Sequence, residues 1–449
     1  MRIRIGNISY QGLNREKRLI IPVVIEESKT PCVEKASAIM DMYEISYFVA
    51  RTNPVLTGLL LLSAEVYAID RAVSRQIDSI DGWTRIFDVT FKVRSADLFE
   101  ANKGHIDSLL SSLTGAYWDC HFEEISDIEW GTDNEGREDF SQISQVNLFS
   151  GGMDSLIGAI DYMEQNDDHH KLFLASHYDS FMGGPKSDQR KIVEKFSAQY
   201  PNKYIYLSPE RITPGISKEK TCRSRSLMFL AIAILVAAYK SNKVIIPENG
   251  PVSLNFPLSP SRRAACSTRT THPIFIQMMR DLLSCWEIPV EINNPYEFKT
   301  KGEMVRECRN LNYLLRIVSL SNSCGKRGEH QLMIDNPYAT HCGRCMPCMY
   351  RKAALVGYDD PTAYGFTMQT LFHQPRNNKI NNDFYAMLNY LRANLPDEEI
   401  SKELEIMGLR KINPHFSDYV DLVKRTREEL KNLLRNEATD DILTYAGLL

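Results

Sequence analysis

The chain has 449 residues, 43% of them hydrophobic and 24% charged, with a formal net charge of −4. Those proportions exclude a disordered or collagen-like polypeptide and describe a globular chain with room for roughly two to four domains. The small acidic balance gives no support to direct nucleic-acid binding, which needs a surplus of lysine and arginine against phosphate.

Met1-Arg2-Ile3-Arg4-Ile5 alternates charge with β-branched residues and lacks the apolar core of a signal peptide, which predicts a cytoplasmic protein. Residues 1–140 read as an N-terminal α+β domain of unknown role. Strand-like pieces are expected at Ile3–Tyr10, Arg18–Ile25 and Arg85–Val93. The polar, glycine-bearing stretch Gly131–Asp139 marks a linker at its end.

A short apolar run from Val146 then breaks into Ser150-Gly151-Gly152-Met153-Asp154-Ser155. Hydrophobicity resumes with Leu156, Ile157, Ala159, Ile160 and Met163 on one face of a 3.6-residue period. A strand, a tight loop and a helix follow from this pattern. Asp154 and Ser155 fall at the helix start, where backbone N–H groups lack intrahelical partners and favour an anion. Gly151 and Gly152 let the main chain approach a ligand, and the hydroxyls of Ser150 and Ser155 add donors. Asp154 has two readings, a helix cap and a metal or nucleotide contact. The Walker spacing Gly-x4-Gly-Lys-Ser/Thr is missing, so γ-phosphate hydrolysis is not supported.

Further strands are expected at Lys171–Ser176, Lys203–Leu207 and Lys243–Pro247, with helices at Lys186–Tyr200 and Ser224–Tyr239. Repeated β-α units predict an α/β fold with a parallel sheet covered on both faces. Ligands of such sheets bind at the carboxyl ends of strands, which would gather Ser150, His177 and Glu248 along one rim. His177 and His272 are acid–base candidates, although lone histidines beside strands and prolines are usually structural. The apolar run Leu227–Tyr239 is shorter than the roughly 20 residues of a membrane span and reads as a buried helix.

His341-Cys342-Gly343-Arg344-Cys345-Met346-Pro347-Cys348 sets three thiols in a Cys-x2-Cys-x2-Cys array, and Cys324 lies 18 positions before the first. Four thiolates can close a tetrahedral zinc site with no open position, which favours a structural role. An iron–sulfur cluster is the competing reading, but the Cys-Pro continuation of bacterial ferredoxins is absent. Cys32, Cys120, Cys222, Cys266, Cys285 and Cys308 are scattered and read as ordinary thiols. Beyond residue 360 the pieces Asn382–Leu395, Asp397–Leu409 and Phe416–Asn436 predict a helical C-terminal subdomain over 361–449. Its charged string Arg425–Lys431 reads as a solvated helix face.

Ser-Gly-Gly-x-Asp-Ser after a hydrophobic strand resembles the pyrophosphate (PP) loop of the ATP pyrophosphatases, which cleave ATP between its α and β phosphates to adenylate a substrate. With Cys324 and Cys342-Gly343-Arg344-Cys345-x-x-Cys348-x-x-Arg351 behind it, the chain resembles the QueC-like, or 7-cyano-7-deazaguanine synthase-like, family. Arg223–Leu230 is similar to that family's Arg-Asn-x-x-Phe-Leu helix start. Asn294–Met304 is similar to its Pro-Leu-x4-Lys-x-Glu-Ile segment, and Ser321–Cys324 stands at its Ser-Cys string. The likeness covers about residues 145–356.

That resemblance implies a parallel-sheet adenine nucleotide α-hydrolase-like core with a four-cysteine zinc site over residues 141–360. It implies ATP, Mg2+ and Zn2+ as cofactors, with the metal on Cys324, Cys342, Cys345 and Cys348. ATP and pyrophosphate would be held by Ser150, Gly151, Gly152, Asp154 and Ser155. Catalytic roles would fall to Asp154, Lys301 and Arg225, and substrate contacts to Glu248 and Asn249. Departures are the chain length, the long gap between Cys324 and Cys342, and Pro247–Asn255 in place of a Ser-Gly-Tyr-Pro-Asp-type substrate loop. The Glu-Asn-Gly string, Ser267–His272 and the two extra ends resemble the QueC-like proteins of bacterial antiphage systems, of the QatC type in the Qat system. The expected activity is therefore adenylation of a 7-carboxy-7-deazaguanine-type small molecule and its transfer to an amine of a partner protein from a defence operon. Ammonia as nucleophile, giving 7-cyano-7-deazaguanine (preQ0), a tRNA-modifying PP-loop enzyme, and a non-catalytic nucleotide-binding scaffold are the alternatives.

Overall fold

Residues 1–11, 18–26, 35–41, 45–125, 139–179, 184–206, 210–215, 219, 222–259, 269–375 and 379–449 are described by the structure, a computed structural model. The expected linker, apart from Asp139, lies outside them, as do Cys32, Cys266, Ser267 and Thr268. The strands that precede residue 130 are β1 (Arg2–Ile5), β2 (Ser9–Gln11), β3 (Arg18–Ile25), β4 (Lys35–Asp41), β5 (Ile86–Val93) and β6 (Tyr117–Glu124). Those that follow are β7 (Ile143–Leu148), β8 (Lys171–Ala175), β9 (His177–Tyr178), β10 (Tyr204–Ile205), β11 (Glu210–Pro214), β12 (Lys243–Ile245) and β13 (Glu291–Asn293). The helices used below are α1 (Pro54–Ala72), α2 (Met153–Gln165), α3 (Pro185–Gln199), α4 (Arg225–Tyr239), α5 (Gly250–Leu254) and α6 (Pro273–Cys285). They continue with α7 (Lys301–Arg306), α8 (Met346–Leu355), α9 (Asn382–Arg392), α10 (Asp397–Ile406) and α11 (Phe416–Glu437).

The first sheet is mixed, in the order β6-β5-β1-β3-β4-β11-β9, with β2 also paired to β3. Leu19, Ile21, Val23 and Ile25 on β3, and Phe87, Val89, Phe91 and Val93 on β5, point inward in strict alternation. A period of two buries one face only, and α1 covers that face. The single strand expected over Ile3–Tyr10 is divided into β1 and β2, which pair with β3 in registers one residue apart.

Helix α1 is buried from Val55 through Ala72, and α4 from Leu227 through Ala237. Helices buried all round need neighbours on every side. Each has the other on one side, and α4 lies against β7 and β12 of the second sheet. One apolar core therefore runs from Ile3 on β1 to Ile292 on β13. The boundary expected at 140 divides the sequence, while the packing crosses it.

The α/β centre is a five-stranded sheet, β10-β8-β7-β12-β13, with every pairing parallel. From β7 the chain winds outward through β8 and β10 on one side, then returns and continues through β12 and β13 on the other. The crevice between the carboxyl ends of β7 and β12 is thus a topological switch point, where ligands of open parallel sheets bind.

C-terminal helices α9, α10 and α11 bury Phe384, Met387, Leu388, Ile400, Leu404, Leu422, Leu430 and Leu433 in two smaller apolar clusters. Helix α10 stops before the expected Leu409, because Gly408 adopts φ +87° just after it. Among the described residues, no helix is long and apolar enough to cross a membrane.

Candidate active site at the switch point

β7 ends at Leu148, and the loop that follows is held from two sides. Gln189 on α3 donates to the Ser150 carbonyl at 3.4 Å, Asn322 N donates to Gly151 O at 2.9 Å, and Met153 N donates to Ser323 Oγ at 3.3 Å. Ser150 Oγ accepts from Gly152 N at 3.3 Å and lies 3.4 Å from Ser155 Oγ, so both hydroxyls stand at the start of α2. Gly151 has φ +83°, and a Cβ there would lie 3.2 Å from Gln189 Cγ. Gly151→Ala is therefore expected to destabilise the protein by about 1–2 kcal/mol, the cost of a left-handed L-residue, read from urea denaturation midpoints.

Asp154 does not cap α2, which has Gly152 as its N-cap residue and no side-chain cap. Its Oδ1 accepts from Lys301 Nζ at 2.6 Å and its Oδ2 from Asn249 Nδ2 at 2.7 Å. Asp154 and Lys301 are both buried. Asn249 also caps α5, its Oδ1 accepting from Val252 N at 3.0 Å. Lys301 is the first residue of α7, which is entered through a reciprocal capping box between Thr300 and Glu303. Glu248 stands beside Asn249, partly exposed, with its backbone carbonyl accepting from Asn294 Nδ2 at 2.8 Å. Asp154, Glu248, Asn249 and Lys301 thus meet from three separate loops at the switch point.

Burial pushes the Glu248 carboxyl well above its ordinary 4.5, and the neighbouring Asp154 charge and a hydrogen bond to it push the same way. Burial also opposes ionisation of Asp154, but Lys301 and hydrogen bonds from Glu248, Lys301 and Asn249 outweigh it and hold that group below 3.8. Of the two, Glu248 is held toward its acid form and Asp154 toward its carboxylate.

The two groups act oppositely on stability. Folded Glu248 keeps a proton that the unfolded chain releases above about 4.5, so its contribution to stability falls as pH rises above that value. Asp154 contributes stability that is present above 3.8 and lost as pH falls through its lower folded value. Glu248→Gln is expected to flatten the decline on the alkaline side in urea titrations run at successive pH values. An unchanged slope would place that proton elsewhere.

Arg225 is not part of this cluster. Its Nη2 donates to the His177 carbonyl at 3.1 Å and its guanidinium lies over the Phe229 ring at 5.3 Å. Among the described residues, no hydrogen bond or ion pair joins it to Asp154, Glu248 or Lys301. It belongs with a second polar group that α1 supplies in part, where Tyr67 Oη donates to Asp179 at 2.7 Å and Arg71 lies 3.9 Å from the same carboxylate. His177 is fully buried rather than on the rim, with the Tyr67 and Phe229 rings at 5.9 and 5.4 Å. The chain leaves the second sheet after β8 and joins the first at β9, where His177 pairs with Glu210 of β11. His272 caps α6, its Nδ1 accepting from Ile274 N at 3.3 Å, and burial lowers it to about 3, so it acts as a neutral acceptor.

Cys324, Cys342, Cys345 and Cys348 bring their sulfurs within 4.8 Å of one another. Gly343 makes the turn at φ +74°, where a Cβ would lie 2.6 Å from the Phe366 carbonyl. Cys324 Sγ accepts from Cys342 N at 3.3 Å and Lys326 N at 3.4 Å, and Cys342 Sγ accepts from Arg344 N at 3.4 Å. Hydrogen bonds from Cys342, Cys345 and Cys348 hold the Cys324 thiol far below the ordinary thiol range. The donor set fits a tetrahedral ion such as zinc and leaves no position for water. Cys324 directly follows Asn322 and Ser323, which hold Gly151 and Met153, so the cysteine cluster is built onto the glycine loop. Arg351, fully buried on α8, donates to Ser321 Oγ at 3.0 Å and the Val318 carbonyl at 2.8 Å, bracing the same segment.

No protein family, curated protein or solved structure was found to match the chain.

Proposed function

We propose that the protein is a QueC-like PP-loop ATP pyrophosphatase that adenylates the carboxylate of a 7-deazaguanine of the 7-carboxy type and passes the acyl group to nitrogen. The observation that carries this reading is the Ser150–Ser155 loop at the switch point, with Asp154 locked to Lys301 and Asn249. An open glycine loop leading into a helix start suits the phosphates of ATP, and a buried ammonium beside it suits departing pyrophosphate. In the first step a substrate carboxylate oxygen attacks the α-phosphorus, the α–β bridging bond breaks and pyrophosphate leaves. The nitrogen nucleophile then attacks the acyl carbon, and AMP departs. Asp154 would be the residue that holds Mg2+, which would neutralise charge on the phosphate oxygens. Glu248 and Asn249 stand beside Asp154 and are assigned to the substrate base, and the four cysteines to structural zinc.

The acceptor is assigned to an amine of a partner protein in cytoplasmic antiphage defence, on the strength of the extra chain at both ends and the altered segment after Glu248. The test combines carboxylate-dependent ATP–pyrophosphate exchange with intact-mass measurement of the operon neighbours in the presence of 7-carboxy-7-deazaguanine and ATP. Exchange with a protein mass gain is expected. Nitrile formed from ammonia without a mass gain makes the protein a plain preQ0 synthase, and the absence of exchange makes it a nucleotide scaffold.

A further inference from the structure

Helix α11 reaches the lysine loop from behind. Thr300 Oγ1 donates to Glu429 Oε1 at 2.5 Å, and Gly302 N donates to Glu429 Oε2 at 3.2 Å. One carboxylate therefore grips the residues on both sides of Lys301. The approach is so close that a Cβ on Gly302 would lie 2.3 Å from Glu429 Oε1. One turn earlier, Arg425 pairs with Glu303 and donates to the Phe298 carbonyl at 2.9 Å. Leu422 packs on the residue after Asn249, since a Cβ on Gly250 would lie 2.5 Å from its Cδ2. Residues 422, 425 and 429 fall on one stripe of the helix. That stripe addresses both loops that supply partners to Asp154.

We propose that Glu429 is a positioning residue, which holds Thr300 and Gly302 so that the Lys301 ammonium stands against Asp154. This rests on the Asp154–Lys301 pair being the reacting centre. A lysine stem is long and flexible, whereas a functional ammonium must be held within about 0.5 Å of its working position, so the backbone at its root has to be fixed. The capping box fixes α7 internally. Glu429 fixes α7 relative to the rest of the site. A cavity of about 670 Å³ opens behind it, lined by Arg306, Arg425, Arg427 and Asn432, so removal of the carboxylate leaves a wet space rather than a dry void.

The test uses full-length Glu429→Ala and Glu429→Gln, with carboxylate-dependent ATP–pyrophosphate exchange and amide hydrogen exchange read by mass spectrometry. Alanine is expected to lower kcat by about 100-fold, the scale of a misplacement near 1 Å, with KM for ATP within about twofold. Glutamine is expected to recover most of the rate, since its amide oxygen can accept from Gly302 and its amide nitrogen can donate to Thr300. In the alanine variant, amides 298–304 should lose protection while those of 150–156 keep it. Full kcat in the alanine variant, or an equal loss in the glutamine variant, overturns the assignment. Should the parent protein show no exchange activity, the proposed function fails separately, and unaltered protection of 298–304 in Glu429→Ala still overturns the clamp.

Discussion

Ser150→Ala combined with Asp154→Asn is expected to lower carboxylate-dependent pyrophosphate release by about 100- to 1,000-fold and to leave a folded protein. The loss of rate follows from removing a loop hydroxyl and the partner that fixes Lys301. The survival of the fold needs a separate argument, because an unpaired buried charge ordinarily costs about 3–5 kcal/mol. Lys301 is such a charge, and Asp154 is its counter-ion at 2.6 Å. Burial pushes Glu248 toward its acid form, and the Asp154 charge beside it pushes the same way. Once residue 154 is neutral, that repulsion is gone and Glu248 can ionise in its place, so the cluster keeps its balance. Asp154→Asn alone should therefore cost much less than Asp154→Asn with Glu248→Gln, where Lys301 has neither acid. Urea denaturation of the two single variants and the double variant measures the difference as a coupling energy. A single Asp154→Asn variant as unstable as the double would show that Glu248 does not substitute.

What the residues alone make legible is local. Strict alternation in Arg18–Ile25 and in Ile86–Val93 specifies one-sided strands, and both are present. The glycine loop and the cysteine spacing are equally local, since a few consecutive residues set the turn, the helix start and the knuckle. Contacts made by distant segments carry no such signature. Glu429 meets Thr300 across 129 positions, and the string Arg425–Lys431, which reads as a solvated face, places Arg425 and Glu429 against α7. His177 leaves the expected rim because periodicity marks a strand without saying which sheet it joins. Arg225 sits at a helix start as expected, yet it reaches the His177 carbonyl on β9 and the Phe229 ring, and nothing near residue 225 announces the first of these. Asp154 stays open between cap and contact in the sequence, because either role uses a carboxylate in the first turn. Only the position of Lys301, 147 residues away, separates them.

Cys345→Ser is expected to take the metal content from about one zinc per chain to near zero and to abolish pyrophosphate exchange, although Asp154 is held by Lys301 and Asn249 and not by the four clustered cysteines. Zinc binding at a four-thiolate site is worth about 10–16 kcal/mol in small peptide systems, and that free energy goes into ordering the ligating segments. Here those segments are Ser321–Cys324 and His341–Cys348. The first of them also carries the donor to Gly151 O and the acceptor of Met153 N, at 2.9 and 3.3 Å. Loosening Cys324 therefore frees the glycine loop on the side opposite Gln189, and the hydroxyls of Ser150 and Ser155 lose their fixed aim. The large core between the two sheets lies elsewhere and is built from residues that do not contact the cysteines, so the damage should stay local. Amide exchange should rise at 151–153, 321–324 and 341–348 while β3 and β5 remain protected. A metal-free variant that retained exchange activity and a protected glycine loop would show that the cysteine cluster supports only its own knuckle.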